Sequence, residues 1–279
     1  MTLKDIKMRM QAINKTATIT QAMHNIALSK LKRSTELLHH ANTFMKKIDE
    51  VVLFADQNMD GQSRYTAPAK GSDKLYILVT GDRGLCGSYH NQLFKTFQVM
   101  IKDDQIESYR VFVIGKKGFY FVKKHNIPTI NTEIIYNRDD ITTVSFRHYA
   151  NVIKDAFKED LTDEVILIYN HYENSTTQVV KSEVILPINV SEETLKSPYI
   201  YDTDPEIVLD RTINIYIESK IFEAVADGKL SEHGSRMVAM KSATDNANDI
   251  VEGLHTLYHR ARQQEITSEL IDVINGSNA

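Results

Sequence analysis

The sequence of 279 residues contains one cysteine, Cys86, and no tryptophan. A single cysteine excludes an internal disulfide bond. Long apolar runs are also missing, since the run Val165–Tyr169 is far shorter than the ~20 residues that a membrane-spanning helix needs. No signal-peptide pattern opens the sequence. These absences predict a soluble intracellular protein that reaches a membrane only through partners.

Glycine and proline are scarce, with 11 and 5 residues, and neither occurs within residues 1–60. Steps of three and four along this segment meet mostly apolar residues, which is the pattern of a coiled-coil helix. We predict a first long helix over residues 1–58, on the order of 85 Å long at about 1.5 Å of rise per residue. Its predicted seam consists of Leu3, Ile6, Met10, Ile13, Ala17, Thr20, His24, Ala27, Leu31, Ser34, Leu38, Ala41, Met45, Ile48, Val52 and Ala55.

A second long helix is predicted over residues 206–276, after the last proline, Pro205. Gly228 leaves open whether this helix is broken, because Asp227-Gly228 also has the character of a turn. Small residues in its seam favour an antiparallel coiled coil with the first helix. The predicted second seam is Met240, Ala243, Ala247, Ile250, Leu254, Leu257 and Ala261. Leu31, Leu38 and Met45 are expected to face Ala243, Ala247 and Ile250 in a register that the sequence leaves open.

Residues 73–190 alternate short apolar runs with amphipathic segments, which predicts a central open α/β domain with a Rossmann-like sheet. The segments Asp56–Ser72 and Ser191–Pro205 have the composition of linkers. The predicted strands are Lys74–Thr80, Tyr109–Gly115, Val165–Tyr169 and Gln178–Leu186, and the predicted helices are Tyr89–Asp103, Lys116–His125 and Ile141–Glu159.

Charge is unevenly distributed along the chain. Residues 1–34 carry seven basic groups and one acidic group, Asp5, whereas the whole chain has a net charge of −4. A basic helix end suits an acidic protein surface, anionic lipid or nucleic acid. Nucleic acid is the weaker interpretation, because no aromatic residues are interleaved with the basic ones for base stacking.

Catalytic motifs are not evident in the sequence. No G-x-x-x-x-G-K-[ST] phosphate loop occurs, and the turn Gly81–Gly87 has the wrong spacing for a dinucleotide fingerprint. A tight turn between strand and helix is the better interpretation. Cys86 is expected to be a small buried residue, and His255 and His259 to be surface residues, so we predict no cofactor and no metal.

Three stretches together resemble the gamma subunit family of F-type ATP synthases. Residues 19–33, ITQAMHNIALSKLKR, resemble the family's "ITKAM…AAAKLRR", and residues 80–87, TGDRGLCG, resemble "TSDRGLCG". Residues 231–247, SEHGSRMVAMKSATDNA, and 261–267, ARQQEIT, resemble "SEHAARMVAMKNATDNA" and "ARQAAIT". The resemblance spans the whole chain, although Gly81 stands where serine is usual and Glu223 where a small residue is common.

This resemblance implies a rotor shaft. The terminal helices would turn inside a ring of alpha and beta subunits, and the α/β domain would contact the epsilon subunit and the c-subunit ring at the cytoplasmic side of the cell membrane. The chain itself would hold no catalytic residue. Matching positions imply contacts with beta subunits at Met23, Arg236, Arg262, Gln263 and Thr267, with Met23 expected to face outward.

The C-terminal end carries apolar side chains on more than one face, which is typical of an enclosed helix. The resemblance implies that this tip turns in an apolar bearing formed by the far end of the ring. The tip residues are Ile266, Leu270, Ile271, Val273 and Ile274.

Two alternatives remain open at this stage. One is a shaft in a related ATPase that hydrolyses ATP for another mechanical task. The other is an unrelated small enzyme whose helices form an oligomerisation stalk, which the missing phosphate loop and catalytic cluster disfavour.

Overall fold

The computed structural model describes residues 2–59, 63–103, 108–138, 146–189 and 204–277. The chain forms two compact units. The terminal unit consists of Met1–Leu28 and Arg236–Ala279, and the central unit of Ser29–Ser235. The division into segments 1–58, 73–190 and 206–276 stays a prediction, and the boundaries of the compact units fall within the long helices.

The two predicted long helices are present. Helix α1 spans Leu3–Gln57 and helix α5 spans Pro205–Ser277. α1 begins with a reciprocal cap, in which the Thr2 backbone N–H donates to the Asp5 carboxylate and the Asp5 N–H donates to the Thr2 hydroxyl. α5 continues through Gly228, so the turn-like Asp227-Gly228 pair does not break it.

The central unit contains a four-stranded sheet. Its strands are β1 (Lys74–Val79), β2 (Tyr109–Ile114), β3 (Glu164–Tyr172) and β4 (Gln178–Leu186), in the order β2-β1-β3-β4. β1 pairs in parallel with β2 and β3, and β4 joins β3 antiparallel. Helices α2 (Tyr89–Asp103), α3 (Lys116–Lys124) and α4 (Arg147–Lys158) complete the unit. The predicted elements are confirmed, although residues 141–145 of the third predicted helix lie outside the described residues.

Strands β1, β2 and β3 are mostly buried, whereas most residues of β4 are exposed or half-buried. Successive strand residues point to opposite sides, so the buried strands contribute to a core on each face. On β1, Tyr76 and Leu78 join a cluster with residues of α2 and α3. Leu75, Ile77 and Val79 join a larger cluster with residues of α1, α4 and α5. Segments of the two long helices therefore supply part of the core of the central unit, which is why this unit is larger than the predicted α/β domain.

The predicted linker Asp56–Ser72 contributes to this core. Tyr65 is buried and stacks on Phe157, with ring centroids 6.2 Å apart. Its hydroxyl donates to Asp210 Oδ1 at 3.1 Å, and its carbonyl accepts from the Ile188 N–H at 2.6 Å. The polar composition of this segment predicted that it is not helical. It gave no sign that the segment packs against the core, because a single aromatic residue, Tyr65, provides that contact.

The terminal unit is an antiparallel helix pair. The hydroxyls of Thr20 and Thr244 are hydrogen-bonded at 2.7 Å, and His24 Nδ1 lies 3.0 Å from the Met237 carbonyl oxygen. All the seam positions predicted on α1 are buried or half-buried, which confirms the periodicity of that helix.

The predicted seam of α5 needs correction. Ile250 and Leu257 are each 48% exposed, and the half-buried Val251 and Tyr258 take their places. The seam includes Thr244, a polar residue that the apolar pattern did not predict. Thr244 can be buried because its hydroxyl is hydrogen-bonded to Thr20 and to a main-chain carbonyl.

The predicted partners of the α5 seam on α1 are also wrong. Thr244 pairs with Thr20 rather than with a residue near Leu31. Leu31 instead lies beside Gly234, 3.6 Å from the position that a Cβ would occupy there. Met45 belongs to the core of the central unit.

Two helical glycines differ in the space around them, which gives a paired prediction. No atom lies within 4 Å of a Cβ placed on Gly253, so Gly253→Ala should stabilise the helix by about 1 kcal/mol. A Cβ on Gly118 would lie 2.7 Å from Thr80 and Val113 side-chain atoms, so Gly118→Ala should destabilise the protein despite the same gain in helix propensity. Urea unfolding followed by circular dichroism measures both, and equal effects would contradict the assigned packing.

Candidate functional site: the junction and the exposed helix faces

Helix α5 is joined to the sheet by a buried set of polar contacts, here called the junction (the turn Thr80–Gly87 and the α5 segment Asp227–Ser235). The Tyr89 hydroxyl donates to the Gly228 carbonyl at 2.8 Å, and the Ser231 hydroxyl donates to the Asn170 carbonyl at 2.8 Å. The Ser235 hydroxyl donates to the Cys86 carbonyl at 2.7 Å. Burial strongly raises the pKa of Tyr89, so its hydroxyl remains a donor. Cys86 is buried, as expected from the sequence.

An ion pair lies inside the junction. Lys229 Nζ is 3.1 Å from Glu232 Oε2, and the two side chains are only 5% and 2% exposed. Gly81 packs directly against this carboxylate, because a Cβ there would lie 2.7 Å from Glu232 Oε2. The glycine at a position where the family more often has serine therefore leaves room for the pair.

A second carboxylate ties α5 to the end of β3. Asp227 Oδ1 accepts the Tyr172 N–H at 2.9 Å, and its other oxygen is bonded to His171 Nδ1. Burial raises the pKa of Asp227, while the bonds from His171 and Tyr172 act in the opposite direction. The paired contacts fix the position of α5 relative to the strand.

The carboxyl edge of the parallel strands, where open α/β folds hold nucleotides, is filled by the protein's own groups. Asp82 Oδ1 accepts the Lys116 N–H at 2.8 Å and the Asn137 N–H at 3.2 Å. The Thr80 hydroxyl accepts the Gly118 N–H at 2.9 Å. The Asp82 carboxylate therefore ties the glycine-rich turn to the first residue of α3.

The predicted partner-contact residues all belong to the terminal unit, but their environments differ. Met23 is half-buried rather than fully outward, and Arg236 is half-buried. Each precedes a member of the bonded pair His24 and Met237. By contrast Arg262, Gln263 and Thr267 are exposed, with the Thr267 hydroxyl donating to the Gln263 carbonyl at 2.8 Å.

The C-terminal tip of α5 has no packing partner among the described residues. Ala261 is half-buried, and every described side chain from Arg262 to Val273 is exposed. Four predicted tip residues are among the exposed apolar residues, namely Ile266 at 44%, Leu270 at 57%, Ile271 at 52% and Val273 at 69%. The side chain of Ile274 lies outside the described residues. A run of exposed apolar groups on one helix is typical of a contact surface.

Two other features do not occur in the described part of the chain. No group of three or more histidine, cysteine or carboxylate side chains there is placed to hold a metal ion. None of the described helices has a stretch long and apolar enough to cross a membrane.

Comparison with known proteins assigns the fold and the motifs to one family. The ATP synthase family matches residues 2–279. The ATP synthase gamma chain of Exiguobacterium sibiricum is 35% identical over 282 aligned residues, which cover 99% of this chain and 98% of that protein. The chain belongs to the ATP synthase gamma chain family. The ATP synthase gamma chain of a second Exiguobacterium species is 34% identical over the same shares of the two chains.

Solved structures share the gamma-chain fold. The rotor of Euglena gracilis mitochondrial ATP synthase matches with a TM-score of 0.68 at 15% identity, covering 95% of this chain and 98% of that one. The central stalk of Tetrahymena thermophila mitochondrial ATP synthase matches with a TM-score of 0.57 at 24% identity, covering 81% and 99%. These similarities confirm the predicted mixed α/β fold with long terminal helices.

Sequence reasoning identified the gamma-chain motifs but not their internal chemistry. Asp82 caps α3, and Ser231 and Glu232 bind within the junction. The motifs TGDRGLCG and SEHGS contain adjacent polar and charged residues. These residues could have indicated the contacts, since polar residues in a buried helix segment need hydrogen-bond partners.

The junction ion pair gives a prediction with a matched control. Lys229→Met should destabilise the protein by about 3–5 kcal/mol, because it removes the Lys229 cation from beside the buried Glu232 carboxylate. Lys229→Met/Glu232→Leu should recover most of the loss. Lys47→Met, which breaks an exposed pair with Glu50 at the same spacing, should cost less than about 1 kcal/mol. Equal losses in the two single variants, measured by urea unfolding, would contradict a buried pair.

Proposed function

We propose that this chain is the torque-carrying shaft of an F-type ATP synthase, turning inside the ring of alpha and beta subunits and contacting epsilon and the c-subunit ring through its central unit. The chain contributes no catalytic residue of its own in this proposal. It is a peripheral component on the cytoplasmic side of the cell membrane, held there by its partners.

One observation carries the proposal. Helix α5 contributes to both compact units without a break, and its buried segment Asp227–Ser235 is bonded to the sheet at several points. A turning force applied to the sheet would therefore reach the helix through packed side chains and hydrogen bonds rather than through a loop. Close-packed protein interiors deform little, which suits the transmission of force.

The terminal unit supports the same role. Its seam is filled, while apolar residues remain exposed on the outer faces of both helices, among them Ile19 at 61%, Ile26 at 56% and Ile250 at 48%. Exposed basic residues on α1, including Lys4, Lys7, Arg9 and Lys15, complement acidic loops of a surrounding ring. The outer faces of the helix pair therefore carry both apolar and charged residues that the seam does not need. Such faces favour binding of the helix pair inside a larger assembly.

A cross-link inside the helix pair tests the rotor. Thr20→Cys/Thr244→Cys should form a disulfide on oxidation, since the two hydroxyls lie 2.7 Å apart. ATPase turnover of the assembled complex should stay within about twofold, because both helices turn as one body. Thr20→Cys/Ile250→Cys is the control and should not cross-link, because Ile250 faces away from the seam. Loss of turnover that a reductant restores would show that the helices must move past each other, and would reject this rotor.

Arg262 and Gln263 are proposed to couple shaft angle to catalysis through beta-subunit loops. Both side chains are exposed, and arginine forms strong bonds with carboxylates and carbonyls. Arg262→Ala/Gln263→Ala should lower ATPase turnover of the complex severalfold while leaving assembly and folding intact. Arg260→Ala/Gln264→Ala, which removes the same two residue types from neighbouring exposed positions, should have the smaller effect. Unchanged turnover in the first variant would remove these residues from the mechanism.

The tip is proposed to turn in an apolar bearing. Non-directional contacts suit a rotating part, because fixed hydrogen bonds cannot be kept at every angle. Deleting residues from Ile271 onward should lower the thermal stability of the complex more than its turnover per assembled particle. A truncation that abolishes turnover in fully assembled complexes would contradict the bearing.

A further inference from the structure

Helix α3 presents a positively charged face to solvent. Its residues Gly118 and Val122 are buried against the sheet. The opposite side carries lysines at both ends of the helix with aromatic rings between them. This set, here called the α3 face, consists of Lys116, Lys117, Phe119, Tyr120, Lys123 and Lys124.

The charge of the α3 face is not neutralised within the described part of the chain. None of its four lysines forms an ion pair there, whereas Lys154, Lys220 and Lys229 each face a carboxylate at 3.1 Å or less. Residues 108–138 carry six basic groups against one acidic group, Glu133, in a chain whose net charge is −4. The face therefore complements an anionic partner.

Aromatic rings are interleaved with these lysines. Tyr120 is 54% exposed, and its ring lies 5.9 Å from Lys116 Nζ. Lys123 Nζ lies 5.5 Å from the half-buried Phe119 ring. An exposed amphipathic ring between ammonium groups is an arrangement that suits the boundary between water and lipid.

The face is also held in place before any partner binds. Asp82 caps the first turn of α3, and the Thr80 hydroxyl accepts the Gly118 N–H. Little conformational entropy is lost when such a surface binds, because its backbone is already ordered. The charges can therefore act together.

We propose that the α3 face binds the anionic headgroups of a lipid bilayer directly. Lysine is depleted in protein–protein interfaces, where arginine is preferred, and α3 contains no arginine. Lysine is a compact point charge, which suits the diffuse field of an anionic leaflet better than the fixed geometry of one carboxylate. This contact would add to the association through partners and does not depend on the proposed rotor function.

Vesicle sedimentation of the full chain tests the proposal. The chain should bind vesicles of equal phosphatidylglycerol and phosphatidylcholine and not vesicles of phosphatidylcholine alone. Replacing all four lysines of the α3 face by glutamine should weaken binding by at least about tenfold. Lys4→Gln/Lys7→Gln/Arg9→Gln/Lys15→Gln, which removes four exposed charges from α1, is the matched control and should keep more than half of the binding.

Tyr120 separates a lipid surface from a purely electrostatic contact. Tyr120→Ser should weaken vesicle binding without changing its dependence on salt, because it removes the ring and no charge. Circular dichroism of each variant establishes that it is folded. The proposal is overturned if the wild-type chain does not bind, if the α1 variant loses as much binding as the α3 variant, or if single-stranded nucleic acid competes more tightly than the vesicles.

Discussion

The structure depends on the burial of polar groups where helix α5 meets the sheet. An amphipathic helix can lie on a sheet through apolar contacts alone, but such contacts fix neither its rotation nor its position along the axis. Bonds from Ser231 and Ser235, and the carboxylate of Asp227 on a strand N–H, do fix them, because each has a definite direction. Breaking one leaves a desolvated group without a partner.

The terminal unit, by contrast, leaves apolar residues exposed on its outer faces. Its seam uses small and polar residues, with Thr20 against Thr244, so the two backbones can approach closely. The apolar residues left over on the outer faces contribute nothing to the pair itself. Under the proposed function these residues contact the subunits that surround the helix pair.

Much of the fold was predictable because its signals are local. The lack of glycine and proline predicted α1, and alternation of apolar residues predicted β4 as Gln178–Leu186, the range that the structure has. The seam of α5 was predicted less well, since Thr244 looks like a surface residue until its partner is known. The same limit applied to Tyr65, whose packing depends on Phe157, a residue far away in the sequence. Arg262 and Gln263 were proposed only through the family's motif, because an exposed side chain on a helix carries no local sign of what it binds.

The end of α5 that has no packing partner among the described residues has a consequence for folding. A helix of about fifteen residues without tertiary packing is close to its helix–coil midpoint in water. From Arg262 onward the helix of the free chain should therefore exchange with coil, whereas the segment packed on α1 should not. Enclosure by partners would shift that equilibrium, so part of the binding energy would be used in ordering the chain. Slow amide hydrogen exchange in this segment would then report assembly rather than the intrinsic stability of the subunit.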